Sequence, residues 1–186
     1  CMIVFYINPD SYIERRGNIE SVALSLSNDV HRVAYNKKRP CIIETVCRAH
    51  LEAMEQILKY DRFPVLLLED DATQMQPLPD REWPQCDIIY LGGSLCGDGM
   101  MIEDYNEDFY RVYNMLTFHS VIFTNREGVI KVQKDIQLAL RNGCYNDVQI
   151  ALSSEKNLYL TPKEGFYFYQ KGLEHWTKFL WKDIKQ

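Results

Sequence analysis

The sequence predicts an α/β fold in which a mostly parallel β-sheet is flanked by helices. Apolar runs of strand length alternate along the chain with longer segments of helical periodicity, which is the pattern of such folds. The run VLLL at 65–68 is continuously apolar, as expected for a strand that is buried on both faces. A length of 186 residues with 46% hydrophobic residues suits a single core. We therefore expect one domain over residues 1–186.

The first half of the chain begins with a strand and a helix. MIVFYI at 2–7 is rich in β-branched and aromatic residues, which predicts a buried strand that stops at the turn Asn8-Pro9-Asp10. Ser11 and Glu14 then match a capping box, so a helix is expected to begin there. Its apolar residues recur at helical spacing and are Ile19, Val22, Ala23 and Leu26. The later elements of this half are a strand at 30–35, a helix at 44–60 and a strand at 65–69.

The second half repeats the alternation after a proline-rich connector. The expected elements are strands at 87–92, 109–113 and 116–124 and helices at 127–141 and 147–154. Gly97-Asp98-Gly99 lies in a polar loop, which is interpreted either as a segment that closes over a ligand or as a plain connection. The tail at 172–186 has apolar residues along one helical face, which predicts a helix docked on the domain's own sheet. Peripheral contact with a membrane is the alternative for this tail.

Charge and composition exclude several classes of partner. The net charge is −5 and Lys and Arg do not cluster, so no nucleic-acid partner is expected. The longest apolar stretch is far too short to span a membrane, and the N-terminus lacks the features of a signal peptide. We therefore expect a cytoplasmic location, and the start at Cys1 suggests a domain cut from a longer chain. The cysteines show neither CxxC pairs nor metal-ligand spacing and are interpreted as reduced thiols.

Three acidic residues, Glu69, Asp70 and Asp71, directly follow the apolar run at 65–68. In open α/β sheets ligands bind beyond the carboxyl ends of the strands, so these acids are expected at the binding edge. Adjacent carboxylates repel one another, and a fold keeps them either in solvent or around a cation. Their oxygen atoms suit Mg²⁺ or Mn²⁺, which can act as a Lewis acid on a diphosphate leaving group. The two interpretations are therefore a solvated acidic turn and a metal site.

Five segments of the chain occur in an order and spacing typical of one enzyme family. They are YINPDSYIERR (6–16), ETVCRAHLEAMEQILKYDRFPVLLLEDDA (44–72), DIIYLGG (87–93), HSVIFTNREG (119–128) and YNDVQIAL (145–152). Through these segments the chain resembles the family 25 glycosyltransferases, which are the lipooligosaccharide galactosyltransferases and their collagen galactosyltransferase relatives. The resemblance implies a GT-A fold, the Rossmann-like fold of transferases that use nucleotide-diphosphate sugars. It also implies inverting, metal-dependent transfer of a hexose from a UDP-sugar to a hydroxyl acceptor on a glycan, a lipid-linked substrate or a protein.

The resemblance assigns roles to residues at the expected binding edge. Asp71, with Asp70 or Glu69, would hold Mn²⁺ or Mg²⁺ on the diphosphate of the donor. Asn8 would line the nucleotide side of the site. An arginine would accompany it, because a guanidinium offers forked donors to a phosphate.

That arginine is Arg15 or Arg16, which occupy adjacent positions of the first predicted helix. Adjacent helical residues face different ways, so we expect only one of the two to enter the site, with Arg16 preferred.

Asp147 and His50 each have two interpretations. An inverting transfer needs a base that removes the proton of the acceptor hydroxyl, and the candidates are Asp147 and a carboxylate of the 98–108 loop. Asn146 or Asp147 could instead cap the helix that begins there. His50 shares a helical face with apolar residues, which favours a satisfied core histidine, although it could also position a group in the site.

Two other functions fit the same acidic motif. One is a different metal-dependent nucleotide enzyme, either a nucleotidyltransferase or a phosphohydrolase. The segment INPDSYIERRG at 7–17 lacks the glycine-rich, lysine-bearing loop common in nucleotidyltransferases, so this alternative ranks second. The other is a non-catalytic module of a larger protein that binds nucleotide sugars without turnover.

Overall fold

The computed structural model describes residues 2–35, 41–95 and 102–171. The predicted tail helix at 172–186 and the Gly97-Asp98-Gly99 segment lie outside these residues. Within them the helices are α1 (Ile13–Leu26), α2 (Ile42–Tyr60), α3 (Arg126–Asn142) and α4 (Asn146–Leu152). The strands are β1 (Ile3–Pro9), β2 (Val30–Tyr35), β3 (Val65–Glu69), β4 (Ala72–Gln74), β5 (Ile88–Tyr90), β6 (Ser94–Leu95), β7 (Ile102–Asp104), β8 (Phe109–Val112), β9 (Met115–Leu116), β10 (Ser120–Phe123), β11 (Tyr159–Pro162) and β12 (Phe168–Gln170).

The main sheet has eight strands in the order β2-β1-β3-β10-β5-β11-β8-β7. Strands β2 and β3 run parallel to β1, and β10 runs antiparallel to β3. Strand β5 is antiparallel to β10 and parallel to β11, and β8 is antiparallel to both β11 and β7. Only β10 and β8 therefore oppose the direction of the other six strands in this sheet. The expected mostly parallel α/β sheet is confirmed.

Helices cover both faces of the sheet because its central strands are apolar on both sides. In β3, Val65 and Leu67 pack into the core beneath α2 and α3, whereas Leu66 and Leu68 pack into the core beneath α1. All four side chains are fully buried. The continuous apolar run thus has the physical origin that the sequence suggested: neither face of this strand meets water.

Two local expectations at the N-terminal end are wrong. Asn8 does not end the first strand in a turn but continues β1, because its backbone pairs with Ala34 of β2. Ser11 does not cap α1; Tyr12 precedes the helix and no side-chain capping bond forms. The packing face of α1 is confirmed at Ile19 and Ala23, which are both buried.

Two further differences concern the second half of the chain. The strand expected at 116–124 is split into β9 and β10, because Thr117 adopts a left-handed backbone with φ of 62° that a strand cannot contain. Strands β11 and β12 follow the last predicted helix and were not anticipated. No helix within the described residues is long and apolar enough to cross a bilayer. The four described cysteines, Cys41, Cys47, Cys86 and Cys144, are free thiols, as expected.

Candidate functional site

The three acids lie at the carboxyl edge of the sheet, as the sequence predicted. Strands β1 and β3 are parallel neighbours, and Ile7 of β1 lies beside Glu69 at the end of β3. The next residue of β1, Asn8, and the turn residues Asp70 and Asp71 therefore meet at one edge. The start of α1 adds Arg15 to the same edge. This convergence is the usual position of a ligand site in an open α/β sheet.

Asp70 is held from two sides. Its Oδ2 accepts a hydrogen bond of 3.1 Å from Asn8 Nδ2, and its Oδ1 accepts one of 3.4 Å from Arg15 Nη1. Burial raises the pKa of this carboxyl, and the bonds from Asn8 and Arg15 act against that rise. The side chain is 10% exposed, so only a small part of it is accessible from solvent.

Asn8 has every hydrogen-bonding position of its buried amide occupied. Nδ2 donates to the Tyr12 carbonyl as well as to Asp70, both at 3.1 Å. Oδ1 accepts from Arg16 Nε at 3.1 Å and from Arg32 Nε at 3.3 Å. The amide accepts or donates no further bond in this arrangement. Asn8 therefore lies at the predicted site, where its amide orients the neighbouring residues and is not available to bind a ligand.

The two predicted arginines enter the site in different ways. Arg15 Nη1 lies 3.4 Å from Asp70 and 3.9 Å from Asp71, so it bridges the paired acids. Arg16 contacts Asn8 and the carbonyl of Asp10 and does not contact the acids. Arg15 therefore faces the acids, and Arg16 supports the end of β1.

Asp71 has one carboxylate oxygen engaged and one without a partner. Oδ2 accepts a hydrogen bond of 3.1 Å from Gln170 Nε2, and the Asp71 carbonyl accepts one of 3.0 Å from the Lys171 backbone. Oδ1 is buried and has no hydrogen-bond partner among the described residues. Burial and the charge of Glu69 raise the pKa of Asp71 to about 6. A carboxylate in this state is stabilised by a positive charge placed at Oδ1.

Glu69 faces His50 of α2. The His50 Nδ1 lies 2.9 Å from the Val46 carbonyl, which only accepts, so this nitrogen carries a proton. The other nitrogen, Nε2, lies 3.0 Å from Glu69 Oε1. Burial lowers the pKa of His50, but Glu69, the Val46 carbonyl and Asp147 together leave it raised. Burial raises the pKa of Glu69, but His50 and His119 together leave it lowered. The two groups lie at ion-pair distance, with His50 buried and Glu69 partly exposed, so His50 is a core histidine that also contacts the acidic edge.

A small cavity of about 60 Å³ adjoins this ion pair. Its lining residues are Ile7, Tyr35, Val46, Ala49, His50, Glu69 and Asp70. A much larger cavity of about 830 Å³ lies at the opposite edge of the sheet, between Met2 before β1, Pro64 before β3 and Trp83 in the connector. Neither the acids nor the site arginines line that larger cavity. We place the functional site at the acidic edge because its charged groups converge there.

His119 forms part of the site wall and was not identified from the sequence. Its carbonyl accepts a hydrogen bond of 2.8 Å from the Glu69 backbone, which places it directly across from the acids. Burial lowers the pKa of His119 to about 4, so the ring is neutral at physiological pH. A Cβ at Gly92 would lie 2.4 Å from His119 Nε2 and 2.8 Å from Ser120 Oγ. Gly92 is therefore required for the close packing of this wall.

Asp147 is bonded to two backbone groups near the start of α4. Its Oδ2 accepts a hydrogen bond of 3.0 Å from the Thr117 backbone, and its Oδ1 accepts one of 2.8 Å from the Val148 backbone. The bond to Thr117 fixes the left-handed turn before β10. Asp147 also acts electrostatically on His50, whose pKa it raises, so it belongs to the same region of the molecule.

The acids fit a cation that takes only part of its coordination from the protein. Within the described residues no three His, Cys, Asp or Glu side chains come together as a complete metal site. Mg²⁺ and Mn²⁺ commonly take one or two carboxylates and complete their shells with phosphate oxygens and water. Asp71 Oδ1 is a buried oxygen with no hydrogen-bond partner in the described part of the chain, and Asp70 shares Arg15 with Asp71. The pair therefore fits such an ion, whereas Glu69 is engaged with His50.

Comparison with known proteins identifies the fold. No protein-family model and no curated protein matches the sequence. CTP:phosphocholine cytidylyltransferase from Streptococcus pneumoniae is similar over 98% of this chain and 78% of its own, with 12% identity and a TM-score of 0.55. The chain has a GT-A-like α/β fold. This likeness shows the fold and not the reaction.

Weaker likenesses extend to two other proteins. A glycosyltransferase involved in the glycosylation of the major capsid of PBCV-1 is similar over 75% of this chain and 67% of its own, with 12% identity and a TM-score of 0.46. The nucleoside-diphosphate-sugar pyrophosphorylase from Vibrio cholerae RC9 is similar over 87% of this chain and 72% of its own, with 11% identity and a TM-score of 0.45.

Proposed function

We propose that this chain is a metal-dependent glycosyltransferase that moves a hexose from a UDP-sugar to a hydroxyl acceptor with inversion. The observation that carries the proposal is the pairing of Asp70 and Asp71 through Arg15 at the carboxyl edge of a GT-A-like sheet. Carboxylates and a guanidinium at one point suit a ligand that has both a cation and phosphate groups. A nucleotide-diphosphate sugar with its metal ion has both.

The cation in this proposal is Mn²⁺ or Mg²⁺, held by Asp71 through its unpartnered Oδ1 and by Asp70. Bound there, it would neutralise the charge that develops on the departing diphosphate. Arg15 is 48% exposed and keeps guanidinium donors available for phosphate oxygens. Glu69 was also predicted as a ligand, but its ion pair with His50 suits a supporting role beneath the two aspartates.

Asp147 is our proposed base for the acceptor hydroxyl. The supporting observation is its hydrogen bond to the Thr117 backbone, which lies two residues before His119, whose carbonyl accepts from the Glu69 backbone at the acidic edge. The acceptor belongs to a glycan, a lipid-linked substrate or a protein, and the reaction is assigned to the cytoplasm. The nucleotide is assigned as UDP through the sequence resemblance alone.

A panel of nucleotide sugars tests the proposal. Ligands that bind the native state raise the melting temperature by mass action, so a UDP-sugar with Mn²⁺ should raise it more than either component alone. Asp71→Ala should remove the Mn²⁺-dependent part of that rise. Glu55→Ala is the matched control, because it removes an equal charge from the exposed surface of α2. A panel without any Mn²⁺-dependent rise would contradict the proposal.

Nucleotidyl transfer is the second candidate, because the fold is shared with a CTP:phosphocholine cytidylyltransferase. The product distinguishes the two reactions. A glycosyltransferase releases UDP from a UDP-sugar, whereas a nucleotidyltransferase releases pyrophosphate from a nucleoside triphosphate. Metal-dependent binding without either product would indicate the non-catalytic module.

A further inference from the structure

We propose that Arg32, in the edge strand β2, is a positioning residue that acts through Asn8 to fix Asp70 beside Asp71. The inference rests on the proposed function, because it concerns how the acids are arranged for a cation and a diphosphate. Arg32 occupies the middle of the run VHRVAY, which predicted a strand and carried no functional expectation.

Arg32 donates hydrogen bonds to both the side chain and the backbone of Asn8. Its Nε donates to Asn8 Oδ1 at 3.3 Å, and its Nη2 donates to the Asn8 carbonyl at 3.2 Å. The same Nη2 donates to Asp10 Oδ1 at 2.7 Å. One guanidinium thus makes three hydrogen bonds across the end of β1. Its side chain is 24% exposed, so most of it is removed from water.

These bonds determine which way the Asn8 amide points. Arg32 and Arg16 both direct an N–H at the amide oxygen, and neither could donate to an amide nitrogen in its place. A rotation that exchanged the oxygen and nitrogen of Asn8 would set donors against donors. The two arginines therefore lock the Asn8 NH₂ group on the side of Asp70, to which it donates at 3.1 Å.

The locked amide in turn fixes the carboxylate of Asp70. With Oδ2 held by Asn8, Oδ1 is left facing Arg15, which also contacts Asp71. A chain of hydrogen bonds therefore leads from β2, through β1, to the paired acids after β3. Residues that orient metal ligands in this way commonly contribute about ten- to hundredfold in metal affinity when they are removed.

Arginine is required at this position for its shape as well as its charge. The bonds to Asn8 Oδ1 and the Asn8 carbonyl come from two different nitrogens of one planar group. A lysine would supply a single ammonium on a flexible stem and would not reproduce that fork. Arg32→Lys therefore separates positioning from simple charge, and it preserves the net charge of the chain.

The control arginine is Arg62, which lies near the opposite end of β2. Its Nη1 donates to Asp29 Oδ2 at 3.2 Å, and its side chain is 62% exposed. Arg62→Ala removes one ion-paired guanidinium without touching Asn8 or the acids. It measures the effect of charge loss alone.

Two measurements on Arg32→Ala, Arg32→Lys and Arg62→Ala test the inference. The first is the affinity for Mn²⁺ in the presence of UDP, followed by the electron paramagnetic resonance of free Mn²⁺. We expect the dissociation constant to rise about tenfold in both Arg32 variants and to stay unchanged in Arg62→Ala. The second is the side-chain amide signal of Asn8 in ¹⁵N-labelled protein without ligand, which we expect to shift and exchange faster only in the Arg32 variants.

The outcomes separate this inference from the proposed function. If the parent chain binds Mn²⁺ with UDP and Arg32→Lys binds it equally well, the positioning role is overturned. An Asn8 amide signal that is unchanged in Arg32→Ala also overturns it, whether or not Mn²⁺ binds. Absence of Mn²⁺ binding to the parent chain contradicts the proposed function, while the amide signal still decides whether Arg32 orients Asn8.

Discussion

At the scale of single residues, Asp71 combines burial with the charge that a cation site requires. Its pKa is raised to about 6, so the folded state holds the proton more tightly than the unfolded chain does. The contribution of protonated Asp71 to stability is complete below the unfolded pKa. It is lost as the pH rises through about 6. At neutral pH the ionised carboxylate therefore destabilises the protein in the absence of a cation.

Asp71→Asn should stabilise the metal-free protein at pH 7.5, because the amide carries no charge and its oxygen can still accept from Gln170. The expected gain in the free energy of unfolding is on the order of 2 kcal/mol. Urea denaturation at pH 7.5 and pH 4 measures it. The gain should nearly vanish at pH 4, and an equal effect at both values would contradict the charge-based explanation.

Substitutions of Asp147 distinguish a catalytic base from a residue that only stabilises the start of α4. If Asp147 is the base, Asp147→Asn should lower kcat by at least about 100-fold. The amide keeps one oxygen to accept from the Thr117 or the Val148 backbone, and its NH₂ group faces the other N–H, so a loss of about 1 kcal/mol of stability should accompany the substitution. Steady-state kinetics on the UDP-sugar identified by the panel provide the measurement. Tyr145, not Asn146 or Asp147, precedes α4, and no side-chain capping bond forms there. Full activity in Asp147→Asn, together with a loss of about 1 kcal/mol or more of stability in Asp147→Ala through its two backbone hydrogen bonds, would assign Asp147 to structure.

The sequence revealed the acids of the site but few of the residues that hold them. Asp70 and Asp71 were recognisable because three acids followed an apolar strand. Arg32 and Gln170 were not, since they reach the acids only through pairing of strands that are distant in sequence. An arginine inside a strand run was the one available signal for Arg32. Nothing in the local sequence distinguishes Gln170.

At the scale of elements, the long periodic segments were predictable and the short ones were not. Helices α2 and α3 have strong apolar faces, so their positions agree with expectation to within about two residues. Strands β4 and β12 have three residues each and exist because they pair with each other across roughly half of the sequence. A segment of that length has no periodicity of its own to detect.

Two helical glycines provide a matched test of how α3 meets the sheet. A Cβ at Gly128 would lie 2.3 Å from the Asp87 carbonyl oxygen, whereas a Cβ at Gly17 in α1 would meet nothing within 4 Å. Gly128→Ala should therefore destabilise the protein by about 2 kcal/mol or more, because backbone must move. Gly17→Ala should stabilise it by about 0.5–1 kcal/mol through helix propensity. Chemical denaturation of both variants measures the contrast, and similar effects would show that α3 can shift freely.

At the scale of the whole molecule, stability is expected to be highest in the centre of the sheet. Strands β1, β3 and β10 lie side by side and are buried except at Glu69, the last residue of β3, whereas β7 at the edge has exposed residues. Amide exchange that requires global unfolding should be confined to the central strands. Hydrogen–deuterium exchange with mass spectrometry should show slow exchange over 65–69 and fast exchange over 102–104. Equal rates in these two segments would contradict this distribution.

The hydrogen bond between Gln170 and Asp71 has a consequence for how the protein matures on the ribosome. Strand β1 can pair with β3 once residues 3–69 have been synthesised. Gln170 emerges roughly a hundred residues after Asp71. A nascent chain can thus pair β1 with β3 about a hundred residues before Asp71 receives its hydrogen bond from Gln170, so the acidic edge is completed only after β12 has been translated.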